Sequence, residues 1–205
     1  MTRLAGMLVA GALAVGCAHG DGTATPTEQK PVAPPPVNEA RQLSSADAEA
    51  LADFKQRIDA YLRVHQMVEA KLPKLPKETT PEVVDTHQRA LEKGMREHRR
   101  GAARGSLLTP GMRRIVRQVL SRVFSEPGGR EMMATILDEN PGPVALRING
   151  RYPDDVPLST VPPQVLSALP KLPEELEYRF VGRRLILLDV HAHTIADYMD
   201  NAFPR

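Results

Sequence analysis

Four residues, NPGP at positions 140–143, separate two stretches of chain that follow different hydrophobic periods. Upstream, apolar residues recur at spacings of three and four, as on helices with one buried face; downstream they alternate, as on half-covered strands. A chain that changes period once, at a cluster of structure-breaking residues, is expected to be α+β. The expected parts are a helical region over 44–139 and a small α+β region over 140–205, packed together as one domain. No cysteine follows Cys17, so this body cannot use disulfides and must rely on packing.

Ser44 or Ser45 can cap a first helix running to about Lys71, with Leu51, Phe54, Ile58, Tyr61 and Val68 on one face and His65 among them. A second helix should start near Thr80, with Pro81 at its first position and Glu82 and Asp85 suiting the N-terminal dipole. Its face reads Val84, His87, Leu91, Gly94 or Met95, and His98. Pro73 and Pro76 forbid continuous helix between the two, so an antiparallel helical hairpin is predicted. A turn centred near Lys77 would set His65 beside His87 and Phe54 beside His98. Two facing histidines, with Glu69 or Asp85 as third ligand, could hold a metal or respond to pH; the plainer reading is histidine at a core boundary.

Arg96, Arg99, Arg100 and Arg104 crowd the end of the second helix, where basic groups suit the C-terminal dipole. Thr109 and Pro110 announce a third helix with Met112, Ile115, Val116, Val119, Leu120 and Val123 on one face. Arg113, Arg114, Arg117 and Arg122 lie on the other. They are either the wet side of a core helix or a docking face for anionic headgroups. SEPGG at 125–129 ends this helix, and a shorter one over 130–138 carries Met132, Met133, Ile136 and Leu137.

Beyond the breakers, Val144, Leu146 and Ile148 alternate as on a strand, followed by an Asn149–Gly150 turn. Pro162 and Pro163 open a short helix that ends before Pro170. Leu176, Tyr178 and Phe180 alternate, Gly182 and Arg183 suit a tight hairpin turn, and the return strand over 185–190 is apolar on both faces, as a central, covered strand would be. A final amphipathic helix is predicted over 192–203, through Ile195, Tyr198, Met199 and Phe203. LPKLP occurs at 72–76 and again at 169–173 and reads as a stiff connector.

The strongest ligand run is Asp189, His191 and His193, which alternate, with Asp197 four residues on. Zinc or iron would accept two imidazoles and a carboxylate, and such a metal could activate water for hydrolysis. The plainer reading has Asp189 capping the last helix. No glycine-rich phosphate loop, nucleophile elbow or H-E-x-x-H motif is present.

The first 17 residues carry an address. Arg3, an apolar run over 4–15, Gly16 and the chain's single cysteine form a secretory signal too short to span a bilayer. Leu13, Ala14, Val15, Gly16 and Cys17 resemble the lipobox of bacterial lipoproteins, with Ala14 where that family usually has leucine. The resemblance implies a signal peptide over 1–16, lipidation of Cys17 and, with Ala18 rather than Asp next, the outer membrane facing the periplasm. A cut after Ala14 would instead release a soluble protein with a free thiol. Residues 17–43, rich in Pro and Thr, read as a tether. Residues 149–166 and 169–190 resemble the ending of uncharacterised bacterial envelope proteins, which implies a folded module and no activity.

Net charge is +2, aromatics make up 4% and tryptophan is absent, so neither a nucleic acid nor a carbohydrate partner is expected. The combined expectation is an exported, lipid-anchored envelope protein that binds or scaffolds another envelope protein, without cofactor or catalysis. The alternative is a zinc- or iron-dependent hydrolase built on Asp189, His191 and His193.

Overall fold

Ser44 starts the first helix by accepting the amide of Asp47 at its hydroxyl, 3.1 Å away, satisfying one of the orphan donors of a helix N-terminus. The structure is a computed structural model that describes residues 44–139 and 144–204; the expectations placed on Cys17, the signal and the tether lie outside them. Helix α1 (Ser45–Glu69) buries Phe54, Ile58, Tyr61, His65 and Val68, the face read from the spacing. Helix α2 (Pro81–His98) has Pro81 in its first turn and buries Leu91, Glu92 and Met95. The two helices meet where Val68 presses on Gly94, so closely that a Cβ at Gly94 would lie 2.3 Å from the valine methyl. That contact shifts the hairpin away from a centre at Lys77. His65 consequently does not face His87, which lines a surface groove with Gln66, Glu69 and Leu75, and His98 is exposed with its Nδ1 on the Gly94 carbonyl.

Helix α3 (Pro110–Ser125) is capped by Thr109 and buries all six expected apolar residues plus Phe124. It packs against α1, α4 (Gly129–Glu139) and α5 (Pro163–Ala168). Ile136 of α4 is buried in this core and Met132, Met133 and Leu137 flank it.

Strands β1 (Leu176–Val181), β2 (Arg184–Asp189) and β3 (Thr194–Met199) form one antiparallel sheet in that order. Val181 pairs with Arg184 across the predicted two-residue turn, and Gly182 there has φ 54°, a left-handed value that glycine adopts without a Cβ penalty. β2 is central, as its two-sided apolar pattern implies. Leu185 and Leu187 enter the helical core, whereas Ile186 and Leu188 join a second core with Val144, Tyr152, Val181 and Ile195.

Two further expectations are corrected. The stretch predicted as a last helix is strand β3, whose residues are buried on both faces except Tyr198. Its register against β2 steps between Leu187 and Leu188, because Leu187 pairs with Asp197 and Leu188 with Ile195, leaving Ala196 unopposed. This bulge breaks the alternation that would mark a strand in sequence. The predicted strand over 144–148 does not form either. Val144 is buried and Leu146 packs beside it, but the sheet contact comes later, where Asn149 donates to the Ile195 carbonyl, Ile195 to that of Gly150, and Tyr152 to that of His193. Asn149 turns the chain onto this edge with φ 58°.

Candidate functional site

Tyr61, His65 and Glu69 lie four residues apart along α1 and therefore form one stripe of the helix. At the buried end of that stripe stands Asp189, the last residue of β2, with no solvent exposure. Its Oδ2 accepts the Tyr61 hydroxyl at 2.6 Å and its Oδ1 accepts the Ala192 amide at 2.8 Å. The second bond fixes the turn over 190–193, which carries His191 back over α1. The His65 and His191 rings then stand 5.5 Å apart between centroids. His65 Nε2 is 3.4 Å from Asp189 Oδ2, His65 Nδ1 is 3.6 Å from Glu69 Oε2, and His191 Nδ1 is 3.8 Å from Glu69 Oε1.

His65 is wholly buried, and neither of its ring nitrogens has a hydrogen-bond partner among the described residues. Burial opposes its protonation, but the Asp189 carboxylate, helped by Glu69 and Glu175, outweighs burial and raises its pKa above the ordinary histidine value. Burial, reinforced by the adjacent Asp189 charge, pushes the Tyr61 hydroxyl far above the usual tyrosine range, so it remains a donor. Arg99, from the end of α2, lies over the Tyr61 ring at 4.6 Å. It also reaches the Ala196 carbonyl at the β3 bulge, at 3.2 and 3.3 Å, and the Asn149 side chain.

The D-x-H-x-H run does not gather into one constellation, because β2 ends at Asp189 and a turn follows. Asp189 and His191 join the α1 stripe. His193, at φ 51°, turns to the second core, where its ring meets Tyr152 edge-on at 6.1 Å and its Nε2 lies 3.5 Å from Asp154. Burial, with Arg151 nearby, lowers its pKa. Asp197 is fully buried and accepts the amides of Gly105, Leu107 and Leu108 at 2.7–3.1 Å, together with that of Tyr198. Asp189 caps a turn rather than a helix.

The arginine face of α3 is partly used inside the molecule. Arg114 pairs with Asp47 at 3.0 Å and Arg117 donates to the carbonyls of Asp200 and Asn201. Arg113 is half-buried near Gly105, and Arg122 is exposed.

His65, Glu69 and His191 each offer one ligand atom, and those atoms lie within 4.8 Å of one another. Two imidazoles and a carboxylate make a donor set for a borderline divalent ion. Tyr61 and Arg99 were not read as site residues from sequence. For Tyr61 the four-residue spacing to His65 was the available signal; for Arg99 there was none. No protein-family model matches the chain, and neither does any curated protein or solved structure.

Proposed function

We propose that this protein is an exported, lipid-anchored component of a bacterial envelope whose α+β body binds or scaffolds an envelope protein without catalysing a reaction. The address rests on residues 1–17, in which a basic residue, a short apolar run and a lipobox-like ending precede Cys17. None of the described helices is long and apolar enough to cross a membrane, so attachment in this reading rests on acyl chains at Cys17.

The observation that carries the non-enzymatic reading is the dispersal of the D-x-H-x-H run: His193 turns away from Asp189 and His191 to meet Tyr152 and Asp154. A hydrolase built on that run needs Asp189, His191 and His193 together, with Asp197 as a further carboxylate at hand. Asp197 instead accepts three amides of the 105–108 loop and closes that loop onto β3. A buried carboxylate saturated by backbone donors is a structural anchor.

Intact-mass analysis of the protein from its native membrane tests the address. The expected product starts at Cys17 and carries acyl chains, and Cys17→Ser should leave the membrane fraction. A water-soluble product with a free thiol would overturn the anchor. Crosslinking in intact membranes should capture one reproducible protein partner, and hydrolytic turnover by the purified protein would overturn the non-catalytic reading.

A further inference from the structure

We propose that His65, Glu69 and His191 hold one zinc-class divalent ion, with Asp189 behind His65 as the carboxylate that positions it. The site differs from both histidine groupings expected from sequence, and it stands whether or not Cys17 is lipidated.

Geometry is the first support. A tetrahedral zinc with bonds of about 2.0–2.1 Å sets its ligand atoms about 3.3 Å apart. One donor atom from each of the three residues lies within 4.8 Å of the other two; His65 Nδ1 is 3.6 Å from one Glu69 carboxylate oxygen and His191 Nδ1 is 3.8 Å from the other. Drawing the three atoms to that spacing takes rotation of the Glu69 and His191 side chains, which are 40% and 41% exposed. His65, packed at the bottom, need not move.

The second support is independent. A wholly buried imidazole whose two nitrogens both lack a hydrogen bond among the described residues is costly unless something outside the chain satisfies it. An ion at Nδ1 does so on one side. On the other, Asp189 Oδ2 lies 3.4 Å from Nε2, so the proton belongs on Nε2 and the Nδ1 lone pair faces Glu69. Metal-bound histidines are characteristically backed by a carboxylate in this way. Asp189 is itself held by Tyr61 and the Ala192 amide, which presets the ring.

Donor chemistry narrows the ion. Calcium and magnesium prefer all-oxygen shells and copper(I) prefers sulfur, whereas two imidazoles and one carboxylate suit zinc and the neighbouring divalent ions such as iron(II), a bound zinc taking water in the fourth position at the exposed mouth. The charges of Glu69 and Asp189 would balance a doubly charged ion. The bound ion would clip the C-terminal end of α1 to the β2–β3 turn.

The test is titration of the full-length, chelator-stripped protein with Zn²⁺ alone, read by calorimetry and by the thermal midpoint. One Zn²⁺ per chain should bind and raise the midpoint, with Mg²⁺ and Ca²⁺ inert. His191→Ala, at an exposed position, should abolish stoichiometric binding while leaving the metal-free midpoint and helical ellipticity unchanged. Glu69→Gln should weaken binding at least tenfold, whereas His87→Ala and His193→Ala should retain it. Asp189→Asn risks the fold and is not needed. Absence of stoichiometric Zn²⁺ binding, binding that survives His191→Ala, or binding lost in His87→Ala would each overturn the site.

Discussion

Asp197 shows how much of this fold depends on single polar side chains. Its carboxylate is fully buried and is the acceptor for Gly105, Leu107 and Leu108 in a loop some ninety residues away in sequence. Removing it leaves several buried N–H groups without an acceptor, each costing about 1–3 kcal/mol. Asp197→Ala should therefore lower unfolding stability by roughly 3–5 kcal/mol, the lower part of the sum for three such donors. Asp197→Asn keeps one oxygen acceptor and should cost less. Urea unfolding of both variants checks this ordering; equal costs would mean that the single oxygen asparagine retains contributes nothing. Asp47 works by the same chemistry at the surface. A hydrogen bond with Ser44 and the Arg114 guanidinium hold its pKa below the ordinary aspartate value. A carboxylate with a depressed folded-state pKa stabilises the fold above its unfolded value, about 3.9, and loses that contribution as pH falls through the folded value. Asp47→Asn should therefore be less stable than the parent at pH 7, and the gap should shrink below about pH 4. A gap that stays constant from pH 7 to pH 3 would contradict this. The effect should be small because the pair is partly exposed.

At the scale of elements, the α1–α2 crossing is set by one missing side chain. Alanine at position 94 would gain about 1 kcal/mol of helix propensity over glycine, but its Cβ would fall 2.3 Å from Val68 Cγ1. Val68 is β-branched, stiff at χ1 and rooted on a helix backbone, so it cannot swing aside. Overpacking of this kind costs about 1–3 kcal/mol. Gly94→Ala should therefore be net destabilising by up to about 2 kcal/mol, and the penalty should vanish or reverse in a Val68→Ala background. A double-mutant cycle by chemical denaturation measures that coupling, and additivity would show that the helices do not meet there. The same crossing explains what was and was not legible in the sequence. The buried faces of α1 and α3 could be read almost residue for residue, because each helix has one wet side. The hairpin offset could not, since it depends on where a glycine admits a neighbour. β3 was misread because Thr194, Ile195, Ala196, Asp197 and Met199 are all buried, and two-sided burial with a bulge erases period two. The stripe of Tyr61, His65 and Glu69 was visible as a spacing. Its partner, Asp189, lies 128 positions from Tyr61 and is brought there by the register of β2, which no local pattern encodes.

For the whole molecule, β2 decides whether the two cores behave as one. Alternation along a strand sends successive side chains to opposite faces, so Leu187 enters the helical core and its neighbour Ile186 enters the core formed with Val144, Tyr152 and Ile195. Both residues are fully buried. Losing the helices would expose one face of β2, and losing the 144–158 segment would expose the other. Arg99 adds a second tie, reaching from α2 over Tyr61 to the carbonyl at the β3 bulge. Unfolding should therefore be a single transition. Ile186→Ala and Leu187→Ala should each cost about 2–5 kcal/mol, although they empty different cores. In each variant, far-UV ellipticity, which follows the helices, and near-UV tyrosine signal, to which Tyr152 contributes from the second core, should shift to the same lower midpoint. If Ile186→Ala moved the tyrosine signal and left the helices at the parent midpoint, the second core would be an independent satellite. Coincident shifts would instead mean that disturbance at the edge near Asn149 is felt at α1, where His65 and Asp189 meet.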